Sequence, residues 1–146
     1  MAKNIQARVL LVDDEEEFVR TLAERLEIRG LKVTGATSGK EAIELTDRQE
    51  FDAIIVDLAM PGMDGLSTLK HIKTLHPDTG IIMLSGQGTV KTSTEAMKLG
   101  AEDFLEKPVN IDELLDKISD ARKRRIVILQ KRSKKEIENI LKRKFW

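Results

Sequence analysis

Asp57 closes a short β-branched apolar run, Ile54-Ile55-Val56, and is followed almost at once by turn-forming residues, Met60-Pro61-Gly62-Met63-Asp64-Gly65. That pattern predicts a carboxylate at the exposed C-terminal tip of a buried strand, the edge at which open α/β sheets bind ligands. An ionised carboxylate is a nucleophile that needs no general base, and Asp57 reads as the acceptor of a phosphoryl group. Four further residues stand at comparable strand ends: Asp13 and Asp14 after Val9–Val12, Ser85 after Ile81–Leu84, and Lys107 after Asp103–Glu106. In a parallel sheet all these ends share one edge.

Three carboxylates gathered there repel one another by ~1 kcal/mol per pair in water and ~4 kcal/mol at an effective dielectric of 20, which calls for a cation or a raised pKa. Mg²⁺, a hard ion that takes carboxylates, carbonyls and waters, answers that need. A zinc site is poorly supported, since the chain has no cysteine and its two histidines, His71 and His76, fall on the third helix away from this edge. Lys107 supplies a fixed positive charge and Ser85 a hydroxyl donor, which with the metal would neutralise the oxygens of an incoming phosphoryl group. Taken alone, Asp13-Asp14 equally suits an ordinary strand-to-helix turn, and Ser85 an ordinary strand end. The combination with Asp57 and Lys107 favours chemistry.

The elements that must position these residues are regular. Val9–Val12 is a continuous apolar run fit for a central strand. A helix follows, with Glu15, Glu16 and Glu17 at its N-terminus, Val19, Leu22, Ala23 and Leu26 on one face, and Gly30 as its stop. Residues 31 to 36 form a more exposed strand; Ser38 with Glu41 opens a helix to about Arg48. Residues 51 to 56 make the third strand, Asp64 caps a helix ended by Pro77, and Ile81–Leu84 is the fourth strand. A helix over about 90 to 99, a short strand at Asp103–Glu106 and a last helix opened by Asn110 with Glu113 complete the series. Five strand-helix units predict a flavodoxin-like, doubly wound parallel sheet with helices on both faces. His71 and His76 read as solvent-facing helix residues without a role, Phe104 as a core residue whatever else it does, and Met60, Met63 and Met83 as packing.

With 146 residues the chain accommodates one domain with some length to spare. Lys and Arg balance Asp and Glu at 25 each, but unevenly: residues 121 to 146 hold 11 basic against 2 acidic side chains, leaving 14 against 23 in the first 120. An acidic, cation-binding domain over residues 1–121 with a basic helical extension over 122–146 is expected. No apolar run approaches the ~20 residues that span a bilayer, and a cytoplasmic location follows.

Asp13-Asp14, Asp57, the turn at 60 to 65, Ser85 and Lys107-Pro108 resemble, in order and spacing over residues 7 to about 121, the receiver domain of two-component response regulators. The resemblance implies strand order 2-1-3-4-5, Asp57 as phosphoacceptor, Asp14 as a direct Mg²⁺ ligand, Asp13 acting largely through water, and Ala59 lending its carbonyl to the metal. It also implies that Ser85 and Lys107 contact the phosphoryl group and that Lys107-Pro108 is cis. Phe104 would be the aromatic that changes rotamer as Ser85 is drawn inward; its ring lacks the hydroxyl of a tyrosine. The partner implied is a sensor histidine kinase or phosphotransfer protein, with readout on the face of the fourth helix, fifth strand and fifth helix, in a stand-alone regulator or the front of a longer one. On this reading the chain accepts and sheds phosphate but does not turn over external substrates.

Two other classes compete. A Mg²⁺-dependent aspartyl-phosphate phosphohydrolase would place a second acid/base residue near the nucleophile, whereas Leu58 and Ala59 follow Asp57, and no insertion is long enough for a lid. A scaffold that is never phosphorylated would have no use for the acidic cluster. In the tail, Ala121, Ile128, Leu129, Ile137, Ile140 and Leu141 form an apolar stripe broken by Arg125 and Arg132, either a solvated helix or a helix that pairs with a partner or a second copy. Charge alone would suit nucleic acid, but no DNA-binding module fits the length.

Overall fold

The computed structural model describes residues 6–58, 64–86 and 90–145, with the backbone alone at 145. Five strands, β1 (Arg8–Val12), β2 (Lys32–Ala36), β3 (Ala53–Asp57), β4 (Gly80–Ser85) and β5 (Asp103–Glu106), alternate with five helices. These are α1 (Glu16–Ile28), α2 (Gly39–Arg48), α3 (Gly65–Leu75), α4 (Val90–Lys98) and α5 (Ile111–Phe145). All strand pairs are parallel and the sheet order is β2-β1-β3-β4-β5. The expected doubly wound fold and strand order are thus observed.

Local chemistry sets the helix ends. Ser38, Asp64 and Asn110 each accept a backbone N–H three residues on, from Glu41, Ser67 and Glu113. At α2 the Glu41 carboxylate reaches back to the Thr37 N–H, not to that of Ser38, so the capping box is displaced by one residue. Gly30 and Gly100, both at positive φ, stop α1 and α4.

Because successive side chains of a strand point to opposite faces, each central strand feeds two cores. Val9, Leu11, Ala53, Ile55, Ile82 and Leu84 pack with α1 and α5 on one side. Leu10, Val12, Ile54, Val56, Ile81 and Met83 pack with α2, α3 and α4 on the other. Met83 is fully buried, as expected of a packing methionine. The same alternation carries beyond the strands: Asp13, Asp57 and Lys107 continue the α1/α5 series, whereas Ser85 and Phe104 share the parity of Met83.

α5 is 35 residues long, about 50 Å at 1.5 Å per residue. Its inward face runs Leu114, Leu115, Ile118 and Ala121, all buried, and then Arg125, only 9% exposed. The expectation that Arg125 merely interrupts a surface stripe is corrected here. A spacing of four, three and four residues from Leu114 keeps Arg125 on the packed face, where it meets three carboxylates from the opposite edge of the sheet. Its Nε donates to Asp78 at 3.0 Å and its Nη1 to Asp52 at 3.3 Å, while Nη2 lies 3.4 Å from Glu50. Arg132 adds a contact of 3.6 Å to Asp78. Burial pushes the Asp78 carboxyl up, but its backbone hydrogen bond and the two arginines outweigh that and hold it below the usual range.

His71 is exposed, as expected. His76 is not: it caps the C-terminus of α3 half-buried, with Nε2 3.5 Å from the Asp47 carboxylate of α2, because α2 and α3 pack side by side over the sheet.

Candidate active site at the carboxyl edge of the sheet

Asp13, Asp14 and Asp57 converge at the C-terminal ends of β1 and β3, each offering an oxygen within 4.8 Å of the others. Asp13 is 2% and Asp57 6% exposed, while Asp14 faces solvent. Asp57 therefore does not sit on an exposed tip. β3 continues its ladder one residue further, with the Leu58 N–H donating to the Leu84 carbonyl at 2.8 Å, and Lys107 closes over the carboxylate. A set of three carboxylates, two of them buried, is a hard-oxygen cradle of the kind that Mg²⁺ or Ca²⁺ takes. Thiolate and imidazole ligands are lacking among the described residues around it.

Lys107 follows β5, and its backbone N–H donates to the Ser85 carbonyl at 2.8 Å, tying the ends of β4 and β5 together. The Lys107-Pro108 peptide is cis, as the resemblance implied. The ammonium donates to Asp13 Oδ2 at 2.8 Å and lies 3.9 Å from Asp57 Oδ1. Burial works against the charge, yet the hydrogen bond from Lys107 to Asp13 and the field of Asp13, Asp57 and Glu15 more than offset it, so the lysine pKa is raised. Asp13 is held from its other oxygen as well, Oδ1 accepting the Glu15 N–H at 3.0 Å.

Ser85 ends β4 and is 3% exposed. Phe104, two residues into β5, is half-buried and packs on the α2/α3/α4 core opposite Met83. Ala59, expected to present its carbonyl to a metal, lies outside the described residues, together with Met60, Pro61, Gly62, Met63, Gln87, Gly88 and Trp146. Gly65, on the far side of that loop, shows why a glycine is required: a Cβ there would stand 2.3 Å from the Asp57 carbonyl oxygen and 2.6 Å from Leu58 Cα.

One neighbour of the site escapes the sequence reading. Phe18, in the first turn of α1, places its ring 4.2 Å from the Lys107 ammonium, centroid to nitrogen. Nothing local to Phe18 signals this, since only the sheet order β1-β3-β4-β5 brings α1 under Lys107.

The model of the response regulator receiver domain matches residues 9–119. The transcriptional regulatory protein ZraR of Escherichia coli K12 is 39% identical over 106 residues, which are 73% of this chain and 24% of that protein. A response regulator receiver domain from Clostridium thermocellum superposes with a TM-score of 0.80 at 32% identity, covering 84% of this chain and 98% of the other. A response regulator from Burkholderia pseudomallei, solved with a phosphorylated aspartic acid, calcium ion and citrate, superposes at 0.73 and 33% identity over 90% of this chain and 74% of that one. This chain belongs to the response regulator receiver domain family of two-component signalling. It spans about a quarter of the length of the curated relatives it matches.

Proposed function

We propose that Asp57 is the phosphoacceptor of this receiver domain. The observation that carries the reading is the convergence of Asp13, Asp14 and Asp57 within 4.8 Å, with the Lys107 ammonium 3.9 Å from Asp57. An oxygen of the ionised Asp57 forms a bond to phosphorus while the bond to the leaving group breaks. That leaving group is a histidine nitrogen of a sensor kinase or phosphotransfer protein, or acetate when the donor is acetyl phosphate. It departs with the bonding electron pair, and no proton need be removed from the nucleophile.

Asp14, Asp57 and the Ala59 carbonyl, with Asp13 acting through water, would hold a Mg²⁺, which would supply neutralisation of the phosphoryl charge. Lys107 offers an ammonium to one phosphoryl oxygen and Ser85 a hydroxyl hydrogen to another. The acyl phosphate, carrying a charge of about −2 where the carboxylate carried one negative charge, draws Ser85 inward, and Phe104, on the same face of the sheet, repacks behind it. Water ends the signal by hydrolysing the acyl phosphate at the same site, so the domain handles its own phosphoryl group and not external substrates.

We assign residues 1–121 to the receiver and residues 122–146 to an extension of it, helical as far as Phe145. Ile126, Val127, Ile137, Ile140 and Leu141 are each at least 40% exposed along that extension, which supports a partner helix, a second copy of the chain being the simplest. None of the described helices is long and apolar enough to cross a membrane. We place the protein's activity in the cytoplasm, where the phosphodonor is found.

Intact mass after incubation with Mg²⁺ and acetyl phosphate tests the assignment. One phosphoryl adduct is expected, lost in Asp57→Asn and on chelation of the metal. An adduct that persists in Asp57→Asn overturns it.

A further inference from the structure

Lys107 is held on three sides, and only two of them are charged. Its ammonium meets Asp13 at 2.8 Å, Asp57 at 3.9 Å and the face of Phe18 at 4.2 Å, and its side chain is 18% exposed. Phe18 is half-buried against the α1/α5 core and shares a shallow groove with Thr21, Leu22, Arg25, Pro108 and Val109. The ring therefore sits in a fixed place, while a four-carbon lysine stem has many rotamers to choose from.

Asp13 would be an unreliable anchor during the reaction, because its carboxylate is one of the three that would face a divalent ion. The ring carries no charge to be claimed by a metal, and its negative face attracts an ammonium whether or not Asp13 is engaged elsewhere. We infer that Phe18 is a positioning residue for phosphoryl transfer: its ring holds the Lys107 ammonium over Asp57 when Asp13 turns to the cation. The inference rests on the assignment of Asp57 as phosphoacceptor. The alternation of the strands explains the geometry, since Asp13, Asp57 and Lys107 fall on the sheet face covered by α1.

Phe18→Leu keeps an apolar side chain on the α1/α5 core and removes the π face; Phe18→Trp keeps the face. The full chain carrying each change is phosphorylated with acetyl phosphate and Mg²⁺, and the initial rate is followed by intact mass, with Mg²⁺ affinity measured separately. In proton NMR of the unphosphorylated wild type, the ε-methylene of Lys107 is expected upfield of the other lysines through the ring current, and Phe18→Leu abolishes that displacement. Phe18→Leu slows phosphorylation about tenfold with Mg²⁺ affinity unchanged, as a cation–π contact of ordinary strength predicts. Phe18→Trp restores the rate. In a Lys107→Met background Phe18→Leu has no further effect, an outcome that a merely structural role of the ring would not produce.

Equal rates for wild type and Phe18→Leu, or an undiminished loss in the Lys107→Met background, overturn the role of Phe18 and leave Asp57 in place. An absence of ring-current displacement in the wild type overturns it too, even where Phe18→Leu folds poorly. A wild-type chain that takes no phosphoryl group overturns both.

Discussion

Lys107 donates its short hydrogen bond to Asp13, 94 residues away in sequence, and not to Asp57, which lies 1.1 Å further off. The ammonium is thus stored on the carboxylate beside the proposed phosphoacceptor. Removing it leaves a buried Asp13 with one neutralising partner fewer and a more negative cluster. Lys107→Met should bind Mg²⁺ several-fold more tightly, as read by calorimetry, and still accept phosphate slowly. It should lose the phosphorylation-dependent chemical-shift changes at Phe104 and along α5. A mutant that switches normally contradicts the role given to the lysine.

Gly65 bears directly on the backbone of Asp57. A methyl group at this position would collide with the Asp57 carbonyl and the Leu58 backbone, and backbone cannot swing aside as a flexible side chain does. Gly65→Ala should cost about 1–3 kcal/mol of stability in urea melts. It should lower the phosphorylation rate more than a remote substitution of equal destabilisation.

Arg125 ties α5 to the loops that precede β3 and β4, the strands ending in Asp57 and Ser85. Truncation to alanine leaves Asp52, mostly buried, without its guanidinium partner and Asp78, also mostly buried, with only the longer contact to Arg132. A loss of about 2–3 kcal/mol is expected from breaking hydrogen bonds to charged groups, discounted for partial exposure. That corresponds to a fall in melting temperature of about 6–9 °C at roughly 3 °C per kcal/mol. Faster amide exchange confined first to residues 122 to 132 would show that the anchor, and not the core, is what fails.

The acid limb of stability carries the same signature. Burial raises the carboxyls of Asp78 and Asp103, but hydrogen bonds and the cations Arg125 and Lys117 leave both below the ordinary range in the folded state. A depressed folded pKa contributes stability that is present above the unfolded value near 3.9 and is lost as pH falls through the folded one. Melting temperature should hold from neutrality to about pH 5 with respect to these groups and fall below about pH 4. In Arg125→Ala that fall should be shallower, because Asp78 has less to lose.

Much of this molecule is readable along the chain because its signals are local. The apolar runs ending at Val12, Asp57 and Ser85, and the caps Ser38, Asp64 and Asn110, each lie within a few residues of what they determine. The convergence of Asp13, Asp14, Asp57 and Lys107 needs only one further idea, that parallel strands end on a common edge. Other features depend on contacts with no local trace. Arg125 meets Asp78 and Asp52 across 47 and 73 residues, and in the sequence it resembles any member of a basic cluster. Its position on the Leu114–Ile118–Ala121 face is the one available clue. His76 and Asp47 meet only because α2 and α3 lie together, and Phe18 reaches Lys107 only through the twist and order of four strands. The burial of Asp57 follows likewise from neighbours contributed by β1 and β5.

The most direct test locates the phosphoryl group at a single residue. After incubation with Mg²⁺ and acetyl phosphate, borohydride reduction converts an aspartyl phosphate to homoserine, and peptide mass spectrometry finds where. Homoserine is expected at position 57 alone, dependent on the metal and abolished in Asp57→Asn. Homoserine at position 13 or 14, or none anywhere in a folded, metal-loaded chain, would contradict it.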